Sequence, residues 1–560
     1  MANSSDVKKT LVRQLLFQLS LANLCFFAVW GKILPGMPIQ YYLIGPPAKW
    51  VFIAAMLDVA ILTVMFWVFE NLVRRFGGPK AGTLIHWTYF AVVLCVLNSV
   101  RRSVVRIPLE KIFSLSGRPG MVALAGILTL ASVVCIVRWR RKIPRAIEIC
   151  VFALSPLVLV TFGQATWSLV NYQALTARFN PPLASRLPGH KVTARVVWLL
   201  FDEFDQQLGF DERPASLSMP EFDRFRAQSI YATQATPVGS DTSLAMPALI
   251  TGKRVAESAP SGPASLRLTL ADNGGSVNWA SQSSLFAEGR SAGYNAAVVG
   301  FYHPYCRIME SSLTTCSSFG SYFIPQVWTL APGFSLVETM VAEAALILGE
   351  IPVVNFFQIE SRVLNHFKNI GVKQRRLAID VYNGVMKAAV KVVADGDMGL
   401  VLIHLPVPHP PFLYDRRKGS MPGGTYSYLD NLALADRALG ELRVVMENAG
   451  LWENSTVLVA ADHWYRHKVR KPWLVQGEKF TLTHYEDYRV PLLIKLPGQH
   501  RSVAYDQPFN TIVTHDLILQ LLKEPSTMAD PAAVMHWLDE HRNSAPMICD
   551  ESDDCRGVER

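Results

Sequence analysis

The sequence predicts an N-terminal bundle of about five membrane-spanning helices followed by an α/β domain built on a helix-flanked sheet. Three observations carry that prediction. Apolar residues crowd the first 170 positions, the remainder alternates short β-branched runs with helical patterns, and two of those runs end in carboxylates. With 560 residues, 50% of them hydrophobic and only 18% charged, the chain has a mean hydropathy of +0.21, too apolar for a purely soluble protein. Disordered and fibrous classes are excluded. Lys and Arg number 54 against 45 Asp and Glu, a net charge of +9. Membrane topology explains that excess, and no basic tract with interleaved aromatics points to nucleic acid.

Apolar stretches fall near 12–30, 50–70, 84–100, 119–137 and 147–170. Each approaches the roughly 20 residues that a helix needs to cross about 30 Å of hydrocarbon. The first has a basic flank (Lys8, Lys9, Arg13) but no clear small-residue cleavage site, so it reads as an uncleaved anchor rather than a signal peptide. Positive charge is retained on the cytoplasmic side. An inside N-terminus therefore places Arg74, Arg75, Lys80 and the cluster Arg138, Arg140, Arg141, Lys142, Arg145 in the cytoplasm. Arg101 to Arg118 dissents, and its alternation of basic and apolar residues suits an amphipathic element on a headgroup surface. An odd number of spans exports everything after Val170. Asp58, inside the second span, is costly there and calls for a partner or a function.

Cysteine usage agrees with export. Cys25, Cys95, Cys135 and Cys150 lie in or beside apolar spans, where a thiol serves as a small buried hydrophobe. Cys306 with Cys316, and Cys549 with Cys555, are spaced to close small disulfide loops in an oxidising compartment.

Strand-like runs recur at Arg195–Phe201, Ala296–Val299, Leu400–His404, Thr456–Ala460 and Val490–Lys495. The clearest helix carries Tyr428, Leu432, Ala435, Leu439, Leu442 and Met446 on one face and stops at Gly450. Pro181, Pro182 and Pro188 mark a linker, giving a division into 1–175 membrane, 176–192 linker, 193–530 globular domain and 531–560 tail. No repeat or low-complexity tract is evident.

Chemistry gathers where strands stop. Asp202, Glu203 and Asp205 follow the first run, at the carboxyl end where open α/β sheets expose their binding crevice. Any one of them alone reads as a solvated loop acid. Asp462 and His463 end a second run in the same way, and carboxylate with imidazole suits Zn²⁺ or Mn²⁺. A third element, Asp241-Thr242-Ser243 before Leu244–Gly252, sets hydroxyls at the start of a short helix, whose free N–H groups welcome a phosphoryl group. Thr and Ser are also ordinary N-caps.

The order of these motifs resembles the alkaline phosphatase superfamily, and within it the sulfatase-like branch with membrane-anchored phosphoethanolamine and glycerol-phosphate transferases. Arg195 to Asp205 resembles the opening strand with its metal acids, and Met219 to Phe225 the helix after it. Thr242 stands nine residues before Thr251-Gly252, the spacing at which this branch keeps its nucleophile. His409-Pro410-Pro411-Phe412 resembles its "H-x-P-Y" segment, Ala461 to Trp464 its "DHG" metal motif, Arg489 to Ile494 the next strand, and Asn510 to Leu522 a late helix. The resemblance spans roughly 190 to 525 and implies a central mixed sheet flanked by helices.

It also implies roles. Glu203 or Asp202, with Asp462 and His463, would form the ligand set of one divalent ion, Zn or Mn ahead of Ca or Mg. Thr242 would be the nucleophile that also touches the metal, with Ser243 as rival. His409 would contact the phosphoryl group or a second metal, against a role in packing. His404 and His484 are further candidates, whereas His303 and His467 read as surface or structural residues. Two departures matter. The sulfatase C-x-P-x-R is replaced by Thr242-Ser243-Leu244-Ala245-Met246, which favours phosphoryl over sulfate chemistry, and Trp464 replaces the glycine after Asp-His. Lys253 and Arg254, and a basic loop at Tyr414, Arg416, Arg417 and Lys418, can steer an anion or remain solvated surface. The expectation is a multi-pass enzyme of the bacterial inner membrane with a periplasmic catalytic domain. It would move a phospho-substituent from a phospholipid to an envelope glycan or lipid. The alternatives are a phosphodiesterase, phosphatase or sulfatase-like hydrolase of the same fold, and a non-catalytic envelope scaffold.

Overall fold

The computed structural model describes residues 4–101, 138–139, 142–187, 193–320, 335–349, 351, 370–421, 427–466, 487–543 and 545–549. The chain divides into two compact units. One comprises Met1–Gln40, Pro46–Thr176 and Pro325–Ile370; the other comprises Tyr41–Gly45, Ala177–Ile324 and Gly371–Arg560.

The first unit is helical. Three described helical stretches, Lys49–Phe76, Gly78–Val100 and Ile143–Val170, are long and apolar enough to cross a membrane. Leu11–Cys25 and Phe27–Ile33 make a fourth candidate if their 60° bend lies within one span. The fifth expected stretch, 119–137, and the loop 102–118 lie outside the described residues. Leu57, Ile61, Val64, Met65 and Leu72 face outward, as an apolar surrounding requires. Inside the bundle, Glu70 accepts from Gln18 Nε2 at 2.8 Å and from the Tyr89 hydroxyl at 2.9 Å, and it meets Arg74. Asp58 has the buried Glu343, on the helix Leu336–Gly349, as its neighbour.

The second unit is built on an eight-stranded mixed sheet. Its strands are β1 (Val196–Asp202), β2 (Ile230–Ala232), β3 (Asn295–Phe301), β4 (Thr315–Phe319), β5 (Met398–Pro408), β6 (Thr456–Ala461), β7 (Leu492–Lys495) and β8 (Val503–Tyr505). They lie in the order β8-β2-β7-β6-β1-β5-β3-β4. Strand β1 sits centrally, parallel to both β5 and β6, while β7 runs antiparallel to β6. Every residue of β1, β5 and β6 is buried, which is why these strands read as unbroken apolar runs rather than as alternation. Side chains still alternate between faces. Val197, Leu199 and Phe201 pack with Leu432, Ala435, Leu439, Leu442 and Met446, the stripe expected from sequence. Val196, Trp198 and Leu200 pack with the helices Thr242–Thr251 and Thr514–Lys523 on the other side.

The helix Tyr428–Asn448 begins at a capping box in which Ser427 and Asp430 each satisfy the other's backbone N–H. Gly450 follows it with φ of 69°, the left-handed conformation that glycine tolerates. Cys306 and Cys316 are joined with Cα atoms 5.6 Å apart. Cys555, the expected partner of Cys549, lies outside the described residues, as do Cys135, His467 and His484. The helix Pro531–His541 returns Val534 and Leu538 to the core.

Candidate metal and nucleophile site

Strand register assembles the site. Leu200 pairs with Ala460 and Phe201 with Ala461, so the residues that follow, Asp202 and Asp462, emerge side by side at the carboxyl edge of the sheet. On its other side, a register shift between Phe201 and Asp202 sets Asp202 opposite Pro408, and the His409 N–H donates to the Asp202 carbonyl at 3.1 Å. Three motifs distant in sequence thereby share one end of three adjacent strands.

Asp202, Asp462 and His463 are each at most 1% exposed, and one ligand atom from each lies within 4.8 Å of the others. The Thr242 hydroxyl enters the same group. It donates to Asp462 Oδ2 at 2.7 Å and lies 3.3 Å from Asp202 Oδ1 and 3.4 Å from His463 Nε2. Asp462 Oδ1 accepts the backbone N–H of His463 at 2.9 Å and of Glu203 at 3.1 Å, which fixes the carboxylate plane. The His463 Nδ1 faces the Trp464 carbonyl at 2.9 Å; a carbonyl only accepts, so Nδ1 carries the proton and Nε2 is turned to the acids. Trp464 thus supplies an orienting carbonyl, and its ring packs edge-on against Tyr488.

Burial raises Asp202 and Asp462 above the usual carboxylate range, with added repulsion from Glu203 at Asp202 and from Asp202 at Asp462, and His463 opposes the rise at both. Burial pushes His463 down, but the Asp462 charge and the Asp202 hydrogen bond push it further up, to about 9. Two carboxyls, one imidazole and one hydroxyl, all buried, could serve as the donor set of a small divalent cation, whose charge would let both acids ionise. The residues present therefore fit a metal ion.

The remaining candidates separate. The Glu203 carboxylate turns away from the three ligand atoms, toward His409 Nε2 at 3.5 Å and Arg466 Nε at 3.5 Å. Its backbone has φ of 63°, a strained conformation for a residue with a Cβ. The Tyr428 hydroxyl holds it there, donating to the Glu203 carbonyl at 2.7 Å and accepting the Asp205 N–H at 3.0 Å. Asp205 caps the next turn through the Leu208 N–H at 2.9 Å. His409, 6% exposed, donates from Nδ1 to the Pro410 carbonyl at 2.6 Å, leaving Nε2 toward Glu203. His404 lies below the site, where burial pushes it down to about 4, and its Nδ1 meets the Tyr305 hydroxyl at 2.9 Å.

The helix N-terminus works differently from the sequence expectation. Asp241, extended at the N-cap, accepts the N–H groups of Ser243 at 2.7 Å and Leu244 at 3.1 Å, so these are not offered to a phosphoryl group. The Ser243 hydroxyl accepts from Ser258 at 2.9 Å and lies outside the metal group. Among the basic residues, Arg416 pairs with Asp430 at 2.9 Å and Lys253 donates to Gln282 at 2.7 Å. Sequence reasoning missed Tyr428, Arg466 and His303. His303 is 1% exposed, burial pushes it down to about 3, and its Nε2 meets the Thr242 carbonyl at 3.0 Å. Residue type alone carries no signal for such roles.

Residues 379–523 match the family model described as Sulfatase. The chain carries a sulfatase-family domain. The match agrees with the sulfatase-like resemblance of the motifs. The matched segment contains His409, Asp462 and His463, with Asp202 and Thr242 upstream of it. Solved structures similar to this chain include an alkaline phosphatase superfamily protein from Vibrio parahaemolyticus, at 15% identity over 61% of this chain and 68% of that one, TM-score 0.34. The lipoteichoic acid synthase LtaP from Listeria monocytogenes is similar at 12% identity over 59% and 72%, TM-score 0.34. Murine ectonucleotide pyrophosphatase/phosphodiesterase 5 is similar at 13% identity over 59% and 95%, TM-score 0.33. No curated protein matches.

Proposed function

We propose that the protein is a membrane-anchored, metal-dependent phosphotransferase that moves phosphoethanolamine or glycerol phosphate from a phospholipid to an envelope glycan or lipid. In this reading one Zn or Mn ion is held by Asp202, Asp462, His463 and Thr242. The observation that carries it is the Thr242 hydroxyl, buried at a helix start and 2.7 Å from Asp462 within the candidate metal group. When bound, the cation lowers the pKa of the hydroxyl and offsets charge on the phosphoryl oxygens. Thr242 Oγ1 forms a bond to phosphorus while the bond from phosphorus to the lipid alcohol breaks; the Thr242 proton leaves toward Asp462. In this reading a protonated His409, with Nε2 on the Glu203 side, gives its proton to the departing alkoxide and takes one from the acceptor hydroxyl in the second step, while Asp462 returns its proton to Thr242. An acceptor hydroxyl then takes the phosphoryl group from Thr242 and restores the enzyme, which predicts ping-pong kinetics. The apolar helices support a lipid donor presented at the membrane, and we place the catalytic domain on the periplasmic side of the bacterial inner membrane.

The test uses the full chain in nanodiscs with a headgroup-labelled phospholipid. After acid quench, mass spectrometry should find the label on Thr242, chelation should prevent it, and Thr242→Ala should abolish both label and acceptor product. Label on Ser243, or turnover by Thr242→Ala, would refute the assignment. Release of label to water with no dependence on acceptor would make the enzyme a hydrolase.

A further inference from the structure

His303 lies two residues beyond β3, and its ring is enclosed edge-on by Tyr41, Trp279, Tyr302 and Tyr305, with centroids 4.9 to 5.8 Å away. Its hydrogen bonds define a direction. Nε2 is 3.0 Å from the Thr242 carbonyl, which can only accept, so Nε2 bears the proton. Nδ1 is then an acceptor, and the Tyr41 hydroxyl at 2.8 Å donates to it. The Thr242 carbonyl carbon is bonded to the Cα whose side chain carries the hydroxyl. Tyr41 is itself held: it is fully buried, its carbonyl accepts from Arg307 Nη2 at 3.0 Å, and Arg307 also donates to the carbonyls of Ile44 at 3.2 Å and Pro263 at 3.1 Å. Tyr41 comes from a five-residue segment that lies in sequence between the apolar helices Phe27–Ile33 and Lys49–Phe76, yet belongs to the α/β unit.

We propose that Tyr41 and His303 are positioning residues for Thr242. The chain of donors, Tyr41 O–H to His303 Nδ1 and His303 Nε2–H to the Thr242 carbonyl, fixes the first residue of the helix so that Oγ1 stays on the Asp462 side. The transfer site is complete only while the segment between the two apolar helices is docked. This inference rests on Thr242 as the nucleophile, and its test separates the two.

Full-chain Tyr41→Phe, His303→Leu and His303→Gln are compared with the parent in nanodiscs containing labelled phospholipid. The rate of label transfer to Thr242 is measured, together with kcat and KM. Tyr41→Phe removes one oxygen and should lower both the labelling rate and kcat about tenfold with KM unchanged, the pattern of lost transition-state alignment. His303→Leu should fall further, about a hundredfold. His303→Gln, whose amide donates to the Thr242 carbonyl and accepts from Tyr41, should recover most of the rate. A merely structural role would lower stability in all three without splitting kcat from KM. Absence of label in the parent refutes the nucleophile reading. Label in the parent, with Tyr41→Phe at the parent's rate or His303→Gln as slow as His303→Leu, refutes the positioning chain. If His303→Leu does not fold, Tyr41→Phe decides alone.

Discussion

Tyr428→Phe is the sharpest test of how the strand end at the candidate metal site is built. The hydroxyl bridges two backbone groups, the Glu203 carbonyl at 2.7 Å and the Asp205 N–H at 3.0 Å, in a region where Glu203, Asp205 and Tyr428 are all fully buried. Phe fills the same volume against Tyr465, whose ring centroid is 4.0 Å from that of Tyr428, so no cavity opens and packing is retained. What remains is one carbonyl and one N–H left without this partner. At about 1–3 kcal/mol for each buried polar group that loses this hydrogen bond, the two together should cost about 2–6 kcal/mol. Denaturant unfolding of the full chain in detergent, followed by tryptophan fluorescence, should show a lower midpoint at unchanged slope. Hydrogen exchange should show faster exchange at the Asp205 amide than in the parent. A loss below about 0.5 kcal/mol, or an Asp205 amide as protected as before, would show that the hydroxyl is not what holds the strained turn.

Two further outcomes follow from the same geometry. Without metal, His463 is raised from 6.5 to about 9, so its contribution to stability is fully present below pH 6.5 and is lost as pH rises through 9. A cation must displace that proton; its affinity should therefore rise about tenfold per pH unit between pH 6.5 and 8.5 on this proton alone, as measured by chelator competition, and a flat profile would contradict it. Cys306 and Cys316 close a loop with a sequence separation of 10, so replacing both with Ser should cost about 2–3 kcal/mol in the loop-entropy account, read as a lower unfolding midpoint under oxidising conditions.

The composition of the chain, read linearly, was enough to locate the apolar helices, the α/β domain and the carboxylates at strand ends. Spans and buried parallel strands leave one-dimensional traces, because length and continuous apolarity are local properties. Motif order also placed Thr242, His409, Asp462 and His463 among the candidates. Tertiary structure decided which groups meet. The register Phe201–Ala461 sets Asp202 against Asp462, while a positive φ turns the Glu203 side chain toward His409 and Arg466, a distinction that adjacent acids cannot show in sequence. Asp241 and Ser258 likewise separate the neighbouring hydroxyls of Thr242 and Ser243. Tyr41 and His303, 262 positions apart, acquire meaning only when folding joins them, since hydrogen bonds depend on distance and direction in space and not on separation along the chain.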